Sequence, residues 1–396
     1  MATVLVTDGE QRAALAVVRS LGKAGHTVFV TSASARSLAG QSRFAAAQES
    51  VPDPLAQPED YAAALAEIVA RRGVQVVLPV TDASLLAVLN ARTRFGSALI
   101  PFPDLDRVRL VNDKALLMAR APEVGIAVPQ QVVLETPSQQ SALRDLALHY
   151  PLVIKPSRSV ASGGNGRLTK LGVLHAATEA ELGQALAGLP PEAYPVMLQQ
   201  RITGPGVGVF LLVWNGETQA VFSHRRIREK PPSGGVSVYR ESILADPALV
   251  ARSRALLDMF GWNGVAMIEY KLDARDGTPY LMEINGRFWG SLQLAVDAGV
   301  DFPALLVQLA LGKPITPVAP YRTGIRSRWW WGDVDHLLTR LRRSNRRLAL
   351  PPGSPGKLAT LASFALLWRP GDRNEIFRWN DPRPFFWETM EWLHGR

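Results

Sequence analysis

A chain of 396 residues is long enough for two or three domains and excludes a single small module. With 47% hydrophobic and 20% charged residues it has a globular composition, and every apolar run is shorter than the roughly 18 residues that span a bilayer. Zero Cys excludes disulfide frameworks, thiolate metal sites and Cys nucleophiles, as expected of a reducing, cytoplasmic setting, while a formal charge of +9 permits anionic partners.

The chain opens on Met1-Ala2-Thr3-Val4-Leu5-Val6-Thr7-Asp8, which lacks the basic n-region of a secretory leader. Residues 3–7 read as a strand, an amphipathic helix follows and ends at Gly25, and residues 27–31 read as a second strand. A helix over 61–72 stopped by Gly73, an apolar strand over 74–80 and a helix from Asp82 repeat the pattern. Such alternation predicts a parallel sheet covered on both faces, an N-terminal Rossmann-like domain over 1–110. No G-x-G-x-x-G follows the first strand, so the spacing supports no dinucleotide site.

A new helix is predicted from Asn112-Asp113-Lys114, and Tyr150-Pro151-Leu152-Val153-Ile154-Lys155-Pro156 reads as a strand closed by proline. The small polar stretch over 157–166, rich in Ser and Gly, exposes backbone amides. Lys155, between that strand and that loop, can bring an ammonium to phosphates while loop amides cover them, although a lone strand-end lysine more often reaches solvent. A further strand, Val196-Met197-Leu198-Gln199-Gln200, leads through Gly204-Pro205-Gly206 to an apolar strand over 209–214.

The most informative segment pairs residues 264–273 with residues 278–285 around Arg275-Asp276-Gly277, a predicted hairpin. A three-residue loop, with left-handed Gly277, makes opposed residue numbers sum to 552. Glu269 then faces Glu283, and Asn285 shares their face opposite Met267. A five-residue loop keeps this register; a four-residue loop shifts it by one and separates the acids. Two opposed carboxylates repel unless a cation sits between them, and two carboxylates with one amide suit Mg²⁺, which takes hard oxygen ligands. The alternative is a solvated face whose acids pair with Lys271 or Arg287.

The order Lys114, Lys155, glycine-rich loop, Gln199-Gln200 strand, Glu269 and Glu283-Ile284-Asn285-Gly286-Arg287 resembles the ATP-grasp superfamily, whose motif E-x-N-x-R the last segment matches. The resemblance covers roughly residues 1–325. It implies a two-subdomain ATP-grasp fold over 111–325, with a small subdomain over about 111–195 and a large one over about 196–325. It further implies ATP as cosubstrate, with Lys114, Lys155 and the loop residues Ser162, Gly163 and Gly164 on the phosphates. Gln199, Gln200, Arg201 and Ile202 are assigned to the adenine edge, and Glu269, Glu283 and Asn285 to Mg²⁺ or Mn²⁺. Arg287 would stabilise the transferred phosphoryl or acyl phosphate. The expected activity is that of a carboxylate–amine ligase acting on a small-molecule carboxylate and an amine or amino acid. Two departures stand out: no Glu follows the hinge glycine to bind a ribose, and Met267 stands where some ligases carry Arg.

Between hinge and hairpin, His224-Arg225-Arg226-Ile227-Arg228-Glu229-Lys230 precedes a Pro- and Gly-rich loop. Arg226 and Arg228 are expected on the acidic substrate beside the γ-phosphate; the alternative is a basic edge strand. Residues 326–396 form a C-terminal extension expected to be helical, basic and aromatic; a patch from Arg322 to Arg347, made of Arg322, Arg326, Arg328, Arg340, Arg342, Arg343, Arg346 and Arg347, supplies most of the charge excess. Packing on the catalytic body is the expectation; peripheral contact with an anionic membrane is the competing one. Nucleic acid is a disfavoured partner, and homo-oligomerisation is left open. A nucleotide-binding pseudoenzyme would share the fold, but the intact Glu269, Glu283, Asn285 and Arg287 set argues for turnover.

Overall fold

The computed structural model describes residues 1–145, 149–163, 167–316, 318, 320–348, 350, 353–366 and 371–395. The N-terminal region forms a four-stranded parallel sheet in the order β3 (Ala45–Ser50), β2 (Thr27–Ser32), β1 (Thr3–Val6), β4 (Val76–Leu78). Helix α1 (Arg12–Lys23) buries Leu15, Val17, Val18 and Leu21; α2 (Pro58–Arg72) ends on left-handed Gly73, the stop expected from sequence. The first residue of α3 (Asp82–Asn90) is Asp82, one position beyond the cap, where Thr81 and Ser84 close a capping box. Asp8, at φ 56°, accepts bonds from Thr81 Oγ1 at 3.0 Å and Ser84 Oγ at 2.6 Å, which fixes this loop at the carboxyl edge of the sheet.

After α4 (Leu105–Asn112) and α5 (Lys114–Arg120), a small antiparallel sheet runs in the order β5 (Gln131–Leu134), β10 (Val196–Gln200), β6 (Leu152–Pro156), β9 (Leu174–Ala176). A separate hairpin of β7 (Val160–Ser162) and β8 (Leu168–Lys170) carries the glycine-rich segment, and α6 (Glu179–Ala187) covers one face. This unit has its own core of Leu134, Leu152, Ile154, Leu182, Val196 and Leu198.

The large sheet has seven strands, in the order β15 (Pro279–Asn285), β14 (Gly264–Leu272), β11 (Gly206–Trp214), β12 (Glu217–Lys230), β13 (Val236–Ser242), β16 (Arg326–Arg328), β17 (Asp372–Asn374). Helices α7 (Pro247–Met259), α8 (Leu292–Ala298) and α9 (Phe302–Ala310) pack with it. Its core is continuous with that of the N-terminal sheet, so Leu5, Phe210, Tyr270 and Trp289 belong to one buried cluster. The cleft lies between this large core and the small one.

Beyond residue 325 the sequence predicts helices, and α10 (Trp330–Arg342), α11 (Lys357–Ala365) and α12 (Arg383–His394) form. The segment also adds two short strands: β16 pairs antiparallel with β13 and β17 pairs parallel with β16, so it extends the large sheet. Buried ion pairs also hold it, Arg19 to Asp381 at 2.8 Å and Arg12 to Glu375 at 2.6 Å. Among the described residues no single helix is long and apolar enough to cross a membrane; the bent pair α8–α9 meets the length and composition of a span only jointly and lies in the core.

Candidate active site

The site is built on β14 and β15, and its register differs instructively from the simple hairpin. The loop is Ala274-Arg275-Asp276-Gly277, closed by a bond from Asp273 N to the carbonyl of Thr278 at 2.9 Å, with Gly277 left-handed at φ 77°. This is the four-residue loop that should separate the acids, and near it Leu272 pairs with Pro279 and Tyr270 with Leu281. A bulge at Met282 then inserts one residue, after which Glu269 faces Glu283 and Met267 faces Asn285. The expected pairing is present, but the bulge creates it, not the turn.

Three oxygen-bearing side chains thus share one face. Asn285 Nδ2 donates to Glu283 Oε1 at 3.1 Å, and Arg287 Nη2 donates to Asn285 Oδ1 at 3.1 Å and to Asp82 Oδ2 at 2.9 Å. Lys114 Nζ stands 3.7 Å from Glu283 and donates to Ser159 Oγ at 2.7 Å; Arg226 Nη2 donates to Glu269 at 2.5 Å. Burial pushes the Glu269 carboxyl above its usual range; Arg226 opposes this and the facing Glu283 adds to it. Burial pushes Glu283 up as well, but Lys114, the Asn285 amide and Lys155 outweigh it and hold Glu283 below its usual range. Two opposed, buried carboxylates with an amide oxygen beside them form an oxygen donor set whose repulsion a divalent cation would relieve, so the residues fit the Mg²⁺ or Mn²⁺ expected from sequence.

Lys155 extends from β6 of the small sheet toward this face, its Nζ 3.9 Å from Sδ of Met282. Burial brings its pKa down to about 8, against the pull of Glu283 and Glu269. Together with Val153, Gln199, Arg201, Ile202, Glu269 and Met282 it lines a cleft of about 530 Å³ between the two sheets. Gln199 Nε2 donates to Gln131 Oε1 at 2.7 Å, and Gln199 Oε1 has no donor among the described residues. The amides of Gln200 and Arg201 are committed to the carbonyls of Gln130 and Pro151, so these two residues can offer a nucleotide edge only acceptors from the backbone. Of the loop residues, Gly163 N donates to the Arg167 carbonyl at 2.8 Å, Ser162 ends β7, and Gly164 lies outside the described residues.

The arginine-rich strand divides. Arg226 lines the cleft, though its Nη1 and Nη2 bridge Glu229 and Glu269. Arg228 is placed elsewhere than expected: its guanidinium makes two 2.6 Å bonds to buried Asp333 of α10 and sits 4.6 Å from the Tyr239 ring centroid. Shifts in the pairing of β12 with β13 on both sides of Arg228 give it this separate environment. His224 is buried against Ser291 Oγ at 2.9 Å, and burial holds its pKa well below the usual value.

Sequence reasoning overlooked several cleft residues: Arg12 of α1, Ser237 of β13, Trp289, Gly290 and Ser291. For the last three, proximity to Arg287 was the available signal, and Ser237 closes the Pro- and Gly-rich loop after the arginine-rich strand; nothing local marks Arg12, which only the tertiary fold brings in.

A family model described as "ATP-grasp in the biosynthetic pathway with Ter operon" matches residues 192–331. Vancomycin B-type resistance protein VanB of Enterococcus faecalis (strain ATCC 700802 / V583) is 26% identical over 226 residues, covering 52% of this chain. The chain spans 63% of the length of that curated relative. Among solved structures, an L-amino acid ligase from Bacillus licheniformis superposes with a TM-score of 0.59 at 20% identity, covering 78% of this chain and 74% of the other. Biotin carboxylase from Campylobacter jejuni gives 0.62 at 14% identity, covering 82% and 74%.

Proposed function

We propose that this chain is a member of the ATP-grasp superfamily and an ATP-dependent ligase that activates a substrate carboxylate as an acyl phosphate and passes the acyl group to an amine. One observation carries the reading: Glu269, Glu283 and Asn285 share a face at the base of a cleft, with Lys114, Lys155 and Arg287 around them.

Glu269, Glu283 and Asn285 would hold Mg²⁺, which when bound neutralises ATP phosphates. Lys155, charged below about pH 8, and Lys114, fixed by Ser159, supply cations on the phosphate side. Gln199 Oε1 offers an acceptor to the amino group of the base, and Val153 and Ile202 offer apolar contact. Arg287, braced by Asp82 and Asn285, faces the charge that develops as the substrate carboxylate attacks the γ-phosphorus and ADP leaves. An oxygen of the substrate carboxylate becomes the P–O–C bridge; the amine then attacks the carbonyl, loses a proton and expels phosphate, so amide, ADP and phosphate result. Arg226, paired with Glu229 and Glu269, tunes the Glu269 carboxylate in place of the direct substrate contact expected from sequence.

The test is ADP release with carboxylates and amines offered in pairs. Release that requires both partners and Mg²⁺ is the expected result; nucleotide binding with no release under any pair would leave a non-catalytic nucleotide-binding protein.

A further inference from the structure

The Pro- and Gly-rich loop over 231–235 turns between β12 and β13 and lines the cleft through Pro231, Ser233, Gly234 and Gly235. Its tip is tied to both ends of that cleft. Arg201 Nη2, just beyond β10, donates to the Ser233 carbonyl at 3.3 Å; Arg226 Nη1 donates to the Gly235 carbonyl at 3.1 Å while its Nη2 bonds Glu269. Gly234 has φ 129°, and a Cβ on Gly235 would overlap the Lys230 carbonyl, so this turn needs both glycines.

The ladder beneath the loop is short. Pairing of β12 with β13 shifts on both sides of Arg228, and past those shifts only Glu229 with Ser237 and Lys230 with Val236 pair. Two pairs beyond an irregularity hold a glycine-rich turn weakly. The C-terminal segment adds a second hold. His336 Nδ1 of α10 donates to the Glu229 carbonyl at 2.6 Å, and Asp335 pairs with Lys230, the residue just before the loop. Trp392 Nε1 of α12 donates to Asp335 at 3.1 Å, and the Trp392 ring stacks on Trp331 with centroids 4.1 Å apart. Neither Asp335 nor His336 lines the cleft, and both lie beyond the residues 192–331 matched by the family model.

Resting on the ligase reading above, we infer that Asp335 and His336 are positioning residues: the C-terminal segment grips residues 229 and 230 and so sets where the 231–235 loop stands in the wall of the nucleotide cleft. The loop meets Arg201 at the hinge and, through Arg226, Glu269 at the metal face. Its displacement therefore weakens nucleotide binding and lowers turnover together.

The test uses the full-length protein and two readouts that need no turnover, amide hydrogen exchange at Ser233, Gly234 and Gly235 and affinity for ADP with Mg²⁺. Asp335→Asn keeps an acceptor for Trp392 and removes the charge facing Lys230; His336→Phe keeps a buried ring and removes the donor to Glu229. In the double variant, exchange at the three amides should rise roughly tenfold and ADP affinity fall roughly tenfold, with exchange in the N-terminal sheet unchanged. Each single variant should move both readouts in the same direction by less, which decides the matter if the double variant does not fold. Asp335→Glu, which retains the charge, should stay near wild type. Arg228→Ala is the control: it breaks a pair between the same two elements, at Asp333, so it should lower the unfolding temperature while leaving loop exchange and ADP affinity as they are. Wild-type loop exchange in the variants, or faster exchange with wild-type ADP affinity, would overturn the inference. So would an Arg228→Ala protein that matches the double variant, because general loosening would then account for both. Failure of the ligase reading appears separately, as wild-type protein that binds ADP yet releases none from ATP.

Discussion

Two regions of this molecule carry arginine-rich sequence, and they use it oppositely. At the cleft, cations gather around a few acids beside space a substrate would fill: Asp82 and Asn285 hold Arg287 Nη2, and Lys114 stands beside Glu283. In the C-terminal segment, Arg326 is spent on Glu241 and Arg328 on Asp333, and Arg340 is buried against Asn345 and the Thr360 hydroxyl. Arg342, Arg343, Arg346 and Arg347 are exposed. Charge density alone therefore says little; the difference lies in whether protein acids and carbonyls have already answered each cation.

The comparison breaks most sharply at Glu283. Glu283→Gln keeps the shape and removes one negative charge from the donor set, and ADP formation should fall by roughly two to three orders of magnitude, with circular dichroism unchanged. Wild-type rates at limiting Mg²⁺ would remove Glu283 from the metal set.

Lys155 gives a pH signature on the same side. Its pKa near 8 means that the ammonium is lost as pH rises through that value, so apparent ATP affinity should fall roughly tenfold between pH 7 and 9. Lys155→Met should bind ATP more weakly and lose that dependence; an unchanged slope would assign the titration to another group.

Arg226 and Arg228 sharpen the contrast within one strand. Arg228→Ala should cost about 2–3 kcal/mol in denaturant unfolding, at or below the roughly 3–5 kcal/mol of breaking a buried ion pair because Arg328 still faces Asp333, with substrate KM unchanged. Arg226→Ala should lower kcat, because Glu269 loses the partner that opposes its raised pKa. The smallest effect is expected from Gln at Arg342, Arg343, Arg346 and Arg347 together: activity unchanged, and any sedimentation with anionic vesicles at low salt abolished. Salt-independent sedimentation would exclude a charge-driven contact.

Much of this arrangement was readable in the chain. Strand and helix alternation up to Asp82 follows from local periodicity, and Glu283-Ile284-Asn285-Gly286-Arg287 marks the chemistry because strand alternation puts Glu283 and Asn285 on one face. Register was legible only in its result: loop length and the Met282 bulge each shift the pairing by one residue, and their cancellation has no sequence signal. Arg228 was misplaced because its partner Asp333 lies 105 residues away, and Arg12 was missed because Glu375 lies 363 residues away. Ion pairs of that separation are set by tertiary packing, which local pattern does not encode.

The central claim, that this face activates a carboxylate by phosphorylation, is tested most directly by trapping. With ATP, Mg²⁺, a turnover-competent carboxylate and hydroxylamine in place of the amine, the protein should form one hydroxamate per ADP, and Glu283→Gln should form neither. ADP released without hydroxamate, or at a rate indifferent to the carboxylate, would contradict it.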